Sequence, residues 1–186
     1  MLRIAIILGS TRPGRKTEPV ARWVFDCARE RGDADYELVD IAEFDLPLLD
    51  EPIPPSQHKY SKDHTKRWAE KIASFDGFVF VTPEYNHSTS GALKNAIDYL
   101  YVEWNNKAAG FVSFGSSGGT RAVEHLRLIV AELQIASVRS QVALSLFTDF
   151  ENFSVFKPAA LHQKSLKSMF DQLIAWSGAM RTLRSD

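Results

Sequence analysis

Three runs of the chain are almost wholly apolar and lack the polar alternation of a half-exposed strand. They are RIAIILG at 3–9, GFVFVT at 77–82 and AAGFVSFG at 108–115. Such runs are typical of parallel strands that are covered on both faces. YELVDI at 36–41 predicts a shorter strand, and further strand-like pieces follow later in the chain, SVRS at 137–140 and VALSL at 142–146.

Helical patterns separate these strands. They lie at 18–32, 61–75, 91–98 and 121–135, and a long pattern runs from about 159 to 183. Strands that alternate with helices imply βαβ units, and therefore an α/β fold with a doubly wound parallel sheet and helices on both faces. We expect one domain over 1–186, with a helical extension from about 159.

Two local features refine this outline. Ser61 stands at the start of the second helical pattern and is expected to be its N-cap. The segment 42–60 carries four prolines and is expected to form an ordered surface loop.

Composition excludes several classes of protein. The 22 basic and 23 acidic side chains give a formal net charge of -1, which argues against a nucleic-acid binder. A single cysteine, Cys27, excludes an internal disulfide framework and suits a reducing cytosol. We expect a cytoplasmic protein, because no secretory signal is visible and no apolar run has the length of a membrane span.

Open parallel sheets bind their ligands outside the carboxyl ends of the strands. Unusual segments follow three of the predicted strands: GSTRPGRKT at 9–17, TPEYNHSTSG at 82–91 and GSSGGT at 115–120. We name them loop 1, loop 3 and loop 4, after the strand that each follows. Because these ends share one edge of the sheet, the three loops predict a single site.

Loop 1 combines hydroxyls, cations and glycines, and it leads into the N-terminus of a helix. Free N–H groups and a partial positive charge at that position favour an anion, most naturally a phosphate. The loop matches neither G-x-G-x-x-G nor G-x-x-x-x-G-K-[ST], so dinucleotide and nucleoside-triphosphate sites lose their main support. A solvated basic turn is the alternative.

Loops 3 and 4 add walls of a different kind. Pro83 keeps its backbone extended, Tyr85 offers a flat aromatic face, and Asn86 offers a donor and an acceptor. The paired glycines Gly118 and Gly119 are tolerated where a ligand approaches closely. Polar or flexible turns are the alternatives. Together the three loops outline a site for a mononucleotide with a flat ring, which is flavin mononucleotide (FMN).

The strings GSTRPGR at 9–15 and TPEYNHSTSGALKNAIDYL at 82–100 resemble the NADPH-dependent FMN reductase family. The resemblance implies a flavodoxin-like five-stranded parallel sheet of order 2-1-3-4-5. It implies non-covalent FMN, with NADPH or NADH as the electron donor. It also implies a homodimer or a tetramer built from dimers, and a small electron acceptor such as a flavin, quinone, azo dye or metal oxyanion.

The same resemblance assigns site residues by their positions in the two strings and in loop 4. Those expected at the FMN phosphate are Ser10, Arg12, Arg15, Lys16 and Thr17. Those expected along the isoalloxazine ring are Pro83, Glu84, Tyr85 and Asn86, with Ser116, Ser117, Gly118 and Gly119 at its other edge. Arg15 and Thr17 depart from the family pattern, in which many members have Ser and Asn. No catalytic side chain is expected, because the flavin carries the redox chemistry.

Several alternatives stay open. A flavodoxin-type electron carrier or an FMN-binding module without turnover would use the same three loops. Arg121 is either a contact for the 2′-phosphate of NADPH or a helix-face residue. His87 is a candidate contact in loop 3, whereas the other histidines are expected on the surface or on helix faces. No zinc-ligand spacing is present, so no metal is predicted.

The aromatic residues that follow loop 3 have two interpretations. They are Tyr99, Tyr101 and Trp104, and they either pack in the core or form a dimer contact near the flavin.

Overall fold

The computed structural model describes residues 1–184. Its main sheet has five parallel strands in the order β2-β1-β3-β4-β5. The strands are β1 (Arg3–Leu8), β2 (Asp35–Asp40), β3 (Gly77–Pro83), β4 (Lys107–Gly115) and β5 (Ile135–Ser145). The fold class and strand order expected from the sequence are therefore confirmed.

Strand β5 joins the two pieces that the sequence pattern separated. Ala109 of β4 pairs with Ser137, whereas Phe111 pairs with Gln141, so β5 has extra residues at this irregularity. A bulge of this kind interrupts the alternation of side chains while the strand continues.

Five helices flank the sheet. They are α1 (Thr17–Arg29), α2 (Asp63–Ala73), α3 (Gly91–Asp98), α4 (Thr120–Glu132) and α5 (Leu161–Arg181). Short 3-10 turns lie at Ile41–Phe44, Pro55–Gln57 and Thr182–Arg184, and a small antiparallel hairpin, β6 (Phe150–Glu151) with β7 (Val155–Phe156), follows β5. Within residues 1–184 no helix has both the length and the apolar character that a bilayer crossing requires.

The core consists of two clusters, one on each face of the sheet. One cluster packs α2, α3 and α4 against the sheet, and the other packs α1 and α5 against the opposite face. Every residue of β3 and β4 is buried, as expected for strands that are covered on both sides. Tyr99 and Trp104 are fully buried in the first cluster, so for these two residues the core interpretation is correct. Tyr101 is only partly buried and packs against that cluster.

The start of α2 differs from the sequence-based expectation. Its N-cap is Lys62 rather than Ser61, and no side chain of the cap residue bonds to the helix. Glu51, from the proline-rich segment, instead accepts the N–H groups of Ser61 and Lys62, each at 2.9 Å. Partial burial opposes ionisation of Glu51, but these hydrogen bonds outweigh it and lower its pKa to about 2. The chain just before α2 is therefore held by a carboxylate ten positions earlier rather than by a cap from Ser61.

Candidate functional site

Loops 1 and 3 are in direct contact at the carboxyl edge of the sheet. The hydroxyl oxygens of Ser10 and Tyr85 lie 2.9 Å apart. Ser90 donates its hydroxyl to the carbonyl of Gly9 at 2.6 Å, and the N–H of Gly9 donates to Val81 O at 2.8 Å. A Cβ on Gly9 would lie only 2.8 Å from that same oxygen, so the close approach of the two loops requires glycine at this position.

The N-terminus of α1 carries unpaired polar and cationic groups. Its N-cap is Lys16, and no side chain caps the first turn. Within residues 1–184, the side chains of Arg12 and Lys16 have no hydrogen-bonding or ion-pair partner, and the buried hydroxyl of Thr17 has none either. Uncapped N–H groups, the helix dipole and two cations together create an environment that favours an anion.

Arg15 differs from the other two cations of loop 1, because its side chain is largely buried among acidic partners. Its guanidinium donates to Asp40 at 2.9 Å and to Glu18 at 2.8 Å, and it also donates to the carbonyl of Ser10. Burial alone would lower the pKa of Arg15, but the two carboxylates outweigh it and raise that pKa. The prediction that Arg15 also contacts a phosphate would require the guanidinium to give up one of these partners.

Loop 3 contains a two-residue turn that two backbone hydrogen bonds close. The N–H of Tyr85 donates to Ser88 O at 2.9 Å, and the N–H of Ser88 donates back to Tyr85 O at 3.2 Å. Between them Asn86 and His87 have φ values of 49° and 72°, which is the pattern of a type I′ turn. Both side chains are exposed at the tip.

Glu84 is held by α4. Its side chain is only 4% exposed, and its carboxylate accepts the Nε–H of Arg121 at 2.6 Å and the backbone N–H of the same residue at 3.1 Å. Burial opposes ionisation of Glu84, but the bonds and charge of Arg121 lower its pKa. Arg121 is therefore engaged at the start of α4, which favours its helix-face interpretation over a contact with a nicotinamide cofactor.

The paired glycines of loop 4 are required by the protein's own backbone. Gly118 and Gly119 have φ values of 69° and 70°. A Cβ on Gly119 would lie 2.7 Å from the Cβ of Ser113, and one on Gly118 would lie 3.1 Å from the Cβ of Ala143. Backbone conformation and close packing thus explain these glycines, whereas the sequence analysis attributed them to an approaching ligand. The two preceding serines, at 116 and 117, are exposed.

A cavity of about 190 Å³ lies between loops 1 and 3 and the end of β4, and we call it the loop cavity. It is lined by Arg12, Gly14, Arg15, Lys16, Pro83, Glu84, Tyr85, Phe114, Gly115 and Leu146. Six residues on this list were expected in loops 1 and 3 at the cofactor. Phe114 and Leu146 were not expected, although both stand at the carboxyl ends of strands beside the site.

A larger cleft of about 470 Å³ lies on the outer side of α1. Its lining includes the carboxylates of Glu18, Asp40 and Glu43, with Arg22 as its cation. This excess of negative charge disfavours a phosphate. The smaller loop cavity is the better candidate for the predicted ligand.

The histidines divide into two groups. His87 lies beside His125, with ring centroids 6.0 Å apart, and His125 Nδ1 is 2.9 Å from the hydroxyl of Ser88. His162, which was expected on the surface or a helix face, begins α5 but is buried against Asp149 at 2.9 Å. In the described residues no three His, Cys, Asp or Glu side chains are placed to hold a metal ion together.

Residues 2–149 match the NADPH-dependent FMN reductase family. An NAD(P)H-dependent FMN reductase of Nectria sp is 38% identical over 178 residues, which cover 90% of this chain and 87% of the relative. One from Schizosaccharomyces pombe is 39% identical, with 88% and 83% covered. An FMN-dependent NADPH-azoreductase of Staphylococcus aureus is 30% identical, with 92% and 93% covered.

Solved structures share the fold at lower identity. The flavoenzyme NAD(P)H:(acceptor) oxidoreductase FerB from Paracoccus denitrificans is similar with a TM-score of 0.76 and 19% identity, over 97% of this chain and 99% of its own. An NADH:FMN oxidoreductase is similar with a TM-score of 0.71 and 20% identity, over 94% and 89%. The chain belongs to the NADPH-dependent FMN reductase family, and the expectation of an FMN-dependent NAD(P)H reductase is confirmed.

Proposed function

We propose that the loop cavity and the edge of the sheet around it hold FMN, and that the protein uses this site to reduce small acceptors with NAD(P)H. The observation that carries the proposal is the 2.9 Å contact between the hydroxyls of Ser10 and Tyr85. This contact joins the loop with anion-binding character to the loop with an aromatic wall. A mononucleotide with a flat ring needs both in one place. When bound, FMN supplies the redox chemistry, and the polypeptide supplies binding and orientation.

Loop 1 fits the phosphate. The uncapped first turn of α1 offers N–H donors, and Arg12 and Lys16 supply charges that no carboxylate in residues 1–184 neutralises. A bound phosphate would also give the buried hydroxyl of Thr17 an acceptor, which it lacks among the described residues. An unsatisfied buried hydroxyl costs about 1–3 kcal/mol, so the loop gains from being occupied. Arg15 contributes by holding the loop to Asp40 and to Ser10 O.

The walls of the loop cavity fit the ring. Pro83, Tyr85, Phe114 and Leu146 give it apolar and aromatic surface. The exposed residues Asn86, Ser116 and Ser117 would supply hydrogen bonds at its edges, and Gly118 and Gly119 would offer backbone groups alone. Apolar and aromatic side chains that hold a ring, together with polar groups that fix its orientation, are the usual components of a cofactor site.

The polypeptide has no evident acid or base to add to the reaction. Glu84, the carboxylate of the cavity lining, is held ionised by Arg121 and cannot donate a proton at neutral pH. Binding and orientation of the two substrates therefore account for the protein's contribution. Arg121 is already paired with Glu84, so its guanidinium gives no preference for the 2′-phosphate of NADPH. Both NADPH and NADH therefore fit as electron donors.

The finer assignments are also proposals. Relatives named as azoreductases and FMN reductases support aromatic acceptors such as azo dyes, flavins and quinones. Exposed Leu128 on α4 contributes apolar surface for a homodimer or a dimer of dimers, which sedimentation at micromolar concentration would detect. A single half-buried Cys27, whose thiol pKa is raised by burial, suits a cytoplasmic protein.

The proposed activity is tested by mixing the FMN-loaded protein with NADPH in the absence of oxygen. Rapid loss of the visible absorbance of the oxidised flavin is expected. A spectrum that stays oxidised would instead favour a flavodoxin-type electron carrier or an FMN-binding module without turnover. Donor and acceptor approach the same open edge, so steady-state plots at several acceptor concentrations should give parallel lines. Intersecting lines would mean that the two substrates bind together.

A further inference from the structure

Two phenylalanines stand exposed beside the loop cavity. Phe147 is 64% exposed and Phe153 is 56% exposed, and their rings meet edge to face with centroids 5.5 Å apart. Phe147 directly follows Leu146, which lines the loop cavity and bonds through its N–H to Gly115 O at 3.1 Å. We call this pair of rings the phenyl platform. Its position in the chain places it next to Leu146 in the wall of the cavity.

The attachment of the hairpin does not require the phenyl platform. The inner rings of the segment, Phe150 and Phe156, lie 5.2 Å apart. Phe150 also lies 6.0 Å from Phe114, and Phe156 lies 5.7 Å from Trp23. These four rings belong to or pack against the core cluster of α1 and α5. Packing of the inner rings therefore holds the hairpin, and the outer rings are left without a partner of their own in the core.

A buried carboxylate fixes the base of the hairpin. Asp149 accepts the N–H of Ser145 at 2.9 Å and the N–H of Ala159 at 3.0 Å, and His162 Nε2 lies 2.9 Å away. Its backbone carbonyl accepts the N–H of Lys157 at 2.8 Å. A segment held at both ends in this way presents its outer side chains in one geometry, which lowers the entropic cost of binding a ligand.

Phe153 occupies a backbone conformation that disfavours it. Asn152 and Phe153 have φ values of 50° and 55°, and the N–H of Ser154 donates to Glu151 O at 3.0 Å. Such a turn prefers glycine at its second left-handed position, and a bulky residue there is uncommon. The ring is more than half exposed, so the contact with Phe147 is the main packing that the described residues offer against this cost.

We propose that the phenyl platform stacks against the ring of an uncharged aromatic electron acceptor, such as a quinone, as it enters the loop cavity. This assignment rests on the proposed function. The charge of the segment fits a neutral ligand: residues 147–156 contain no lysine or arginine, Asp149 is buried, and exposed Glu151 is followed at 157 by an exposed lysine. A segment without an excess of positive charge offers little to the phosphates of a nicotinamide dinucleotide and tolerates a neutral ring.

The size of the platform also favours a small ring over a second copy of the chain. A phenylalanine side chain has roughly 150–250 Å² to bury, so the two partly exposed rings offer roughly 200–300 Å². A stable protein interface needs about 800 Å² from each partner. Because the two rings are nearly perpendicular, at 84°, a small ring system can stack on one of them and meet the edge of the other.

The test compares Phe147→Ala, Phe153→Gly and the double variant with wild type, all loaded with FMN. Glycine suits the backbone at 153, so Phe153→Gly is expected to keep the fold, which a melting curve checks. Trp176→Ala, which removes a 45% exposed ring from α5, is the matched control. The acceptors are menadione, an uncharged quinone, and ferricyanide, which has no ring. The double variant should raise the KM for menadione about 5-fold or more, while the KM values for ferricyanide and NADPH stay unchanged.

Binding is measured separately by saturation-transfer NMR on the oxidised, FMN-loaded protein with 1-naphthol, an aromatic compound that accepts no electrons. Wild type and Trp176→Ala should transfer magnetisation to its ring, and the double variant should transfer much less. The platform would be overturned if the double variant left the KM for menadione unchanged. It would also be overturned if the KM for ferricyanide rose equally, or if only the KM for NADPH rose. Wild type that reduces neither acceptor would instead refute the proposed function, and the NMR result would still decide the platform.

Discussion

Replacing Arg12 by alanine should weaken FMN binding without weakening the fold. The backbone N–H of Arg12 bonds to the hydroxyl of Ser10 at 3.3 Å, and alanine keeps that bond. The exposed guanidinium has no partner in residues 1–184, so its removal orphans no buried group. Thermal stability of the FMN-free protein should therefore change by less than about 0.5 kcal/mol, as at an ordinary surface position.

The effect on the cofactor should be much larger. A charge-assisted hydrogen bond between a guanidinium and a phosphate contributes about 1.5–3 kcal/mol. The Kd for FMN should accordingly rise about 10- to 150-fold. Quenching of flavin fluorescence during titration gives this Kd directly. Riboflavin has no phosphate, so its Kd should be the same for wild type and Arg12→Ala.

Two further variants separate this effect from general changes of charge or fold. Arg139→Ala removes the same charge from an exposed position in the middle of β5, and it should leave the Kd for FMN unchanged. Arg15→Ala should lower the melting temperature, because it leaves Asp40 and Glu18 without their shared cation. If Arg12→Ala binds FMN as tightly as wild type, or loses riboflavin equally, loop 1 is not the phosphate site.

Three other substitutions test the surroundings of the site and the opposite end of the sheet. His87→Gly should raise stability by about 1 kcal/mol, because glycine suits φ 72°; a lower melting temperature would show that the imidazole contributes more than this strain costs. Glu84→Gln should lower the free energy of unfolding by about 1–3 kcal/mol at pH 7. Because the pKa of Glu84 is lowered in the folded protein, this loss should shrink as the pH falls towards 3. A difference between variant and wild type that does not change with pH in urea unfolding would contradict the ionised pair with Arg121. Burial, and then the charge of Arg184, lower the pKa of Lys107 to about 7. Above pH 7 the unfolded chain therefore binds a proton at Lys107 that the folded chain has lost. The free energy of unfolding of wild type, relative to that of Lys107→Met, should rise by about 2 kcal/mol between pH 7 and pH 9. Equal pH profiles for the two proteins would refute the lowered pKa.

Most of the fold could be predicted because its signals are local. The apolar runs of β1, β3 and β4 are continuous, and each is followed by a helical pattern, so periodicity and order are enough to indicate a parallel sheet. The errors arose where a distant residue decides the structure. Glu51 holds the backbone just before α2, where Ser61 was expected to cap the helix, and the irregular pairing with β4 lets β5 continue through a break in its pattern.

The same distinction applies to the site. Loops 1, 3 and 4 were predicted as one site, and the contact between Ser10 and Tyr85 brings loops 1 and 3 together. The partner of Arg15 is Asp40, 25 positions away at the end of a neighbouring strand, and no local pattern pairs these two residues. Leu146 was missed for a similar reason, since it reaches the cavity only because β5 lies beside β4.

Backbone strain at the carboxyl edge supports a functional reading of that edge. Two turns there, after β3 and after β5, each hold two consecutive non-glycine residues at positive φ: Asn86 with His87, and Asn152 with Phe153. Glycine at the second position of each turn would remove a cost on the order of 1 kcal/mol or more. The fold does not need the side chains that cause this cost, because His87 and Phe153 are both exposed. A histidine and a phenylalanine are therefore displayed at the edge where we propose that the cofactor and its substrates bind, and strain of this kind is usually found at the functional sites of enzymes.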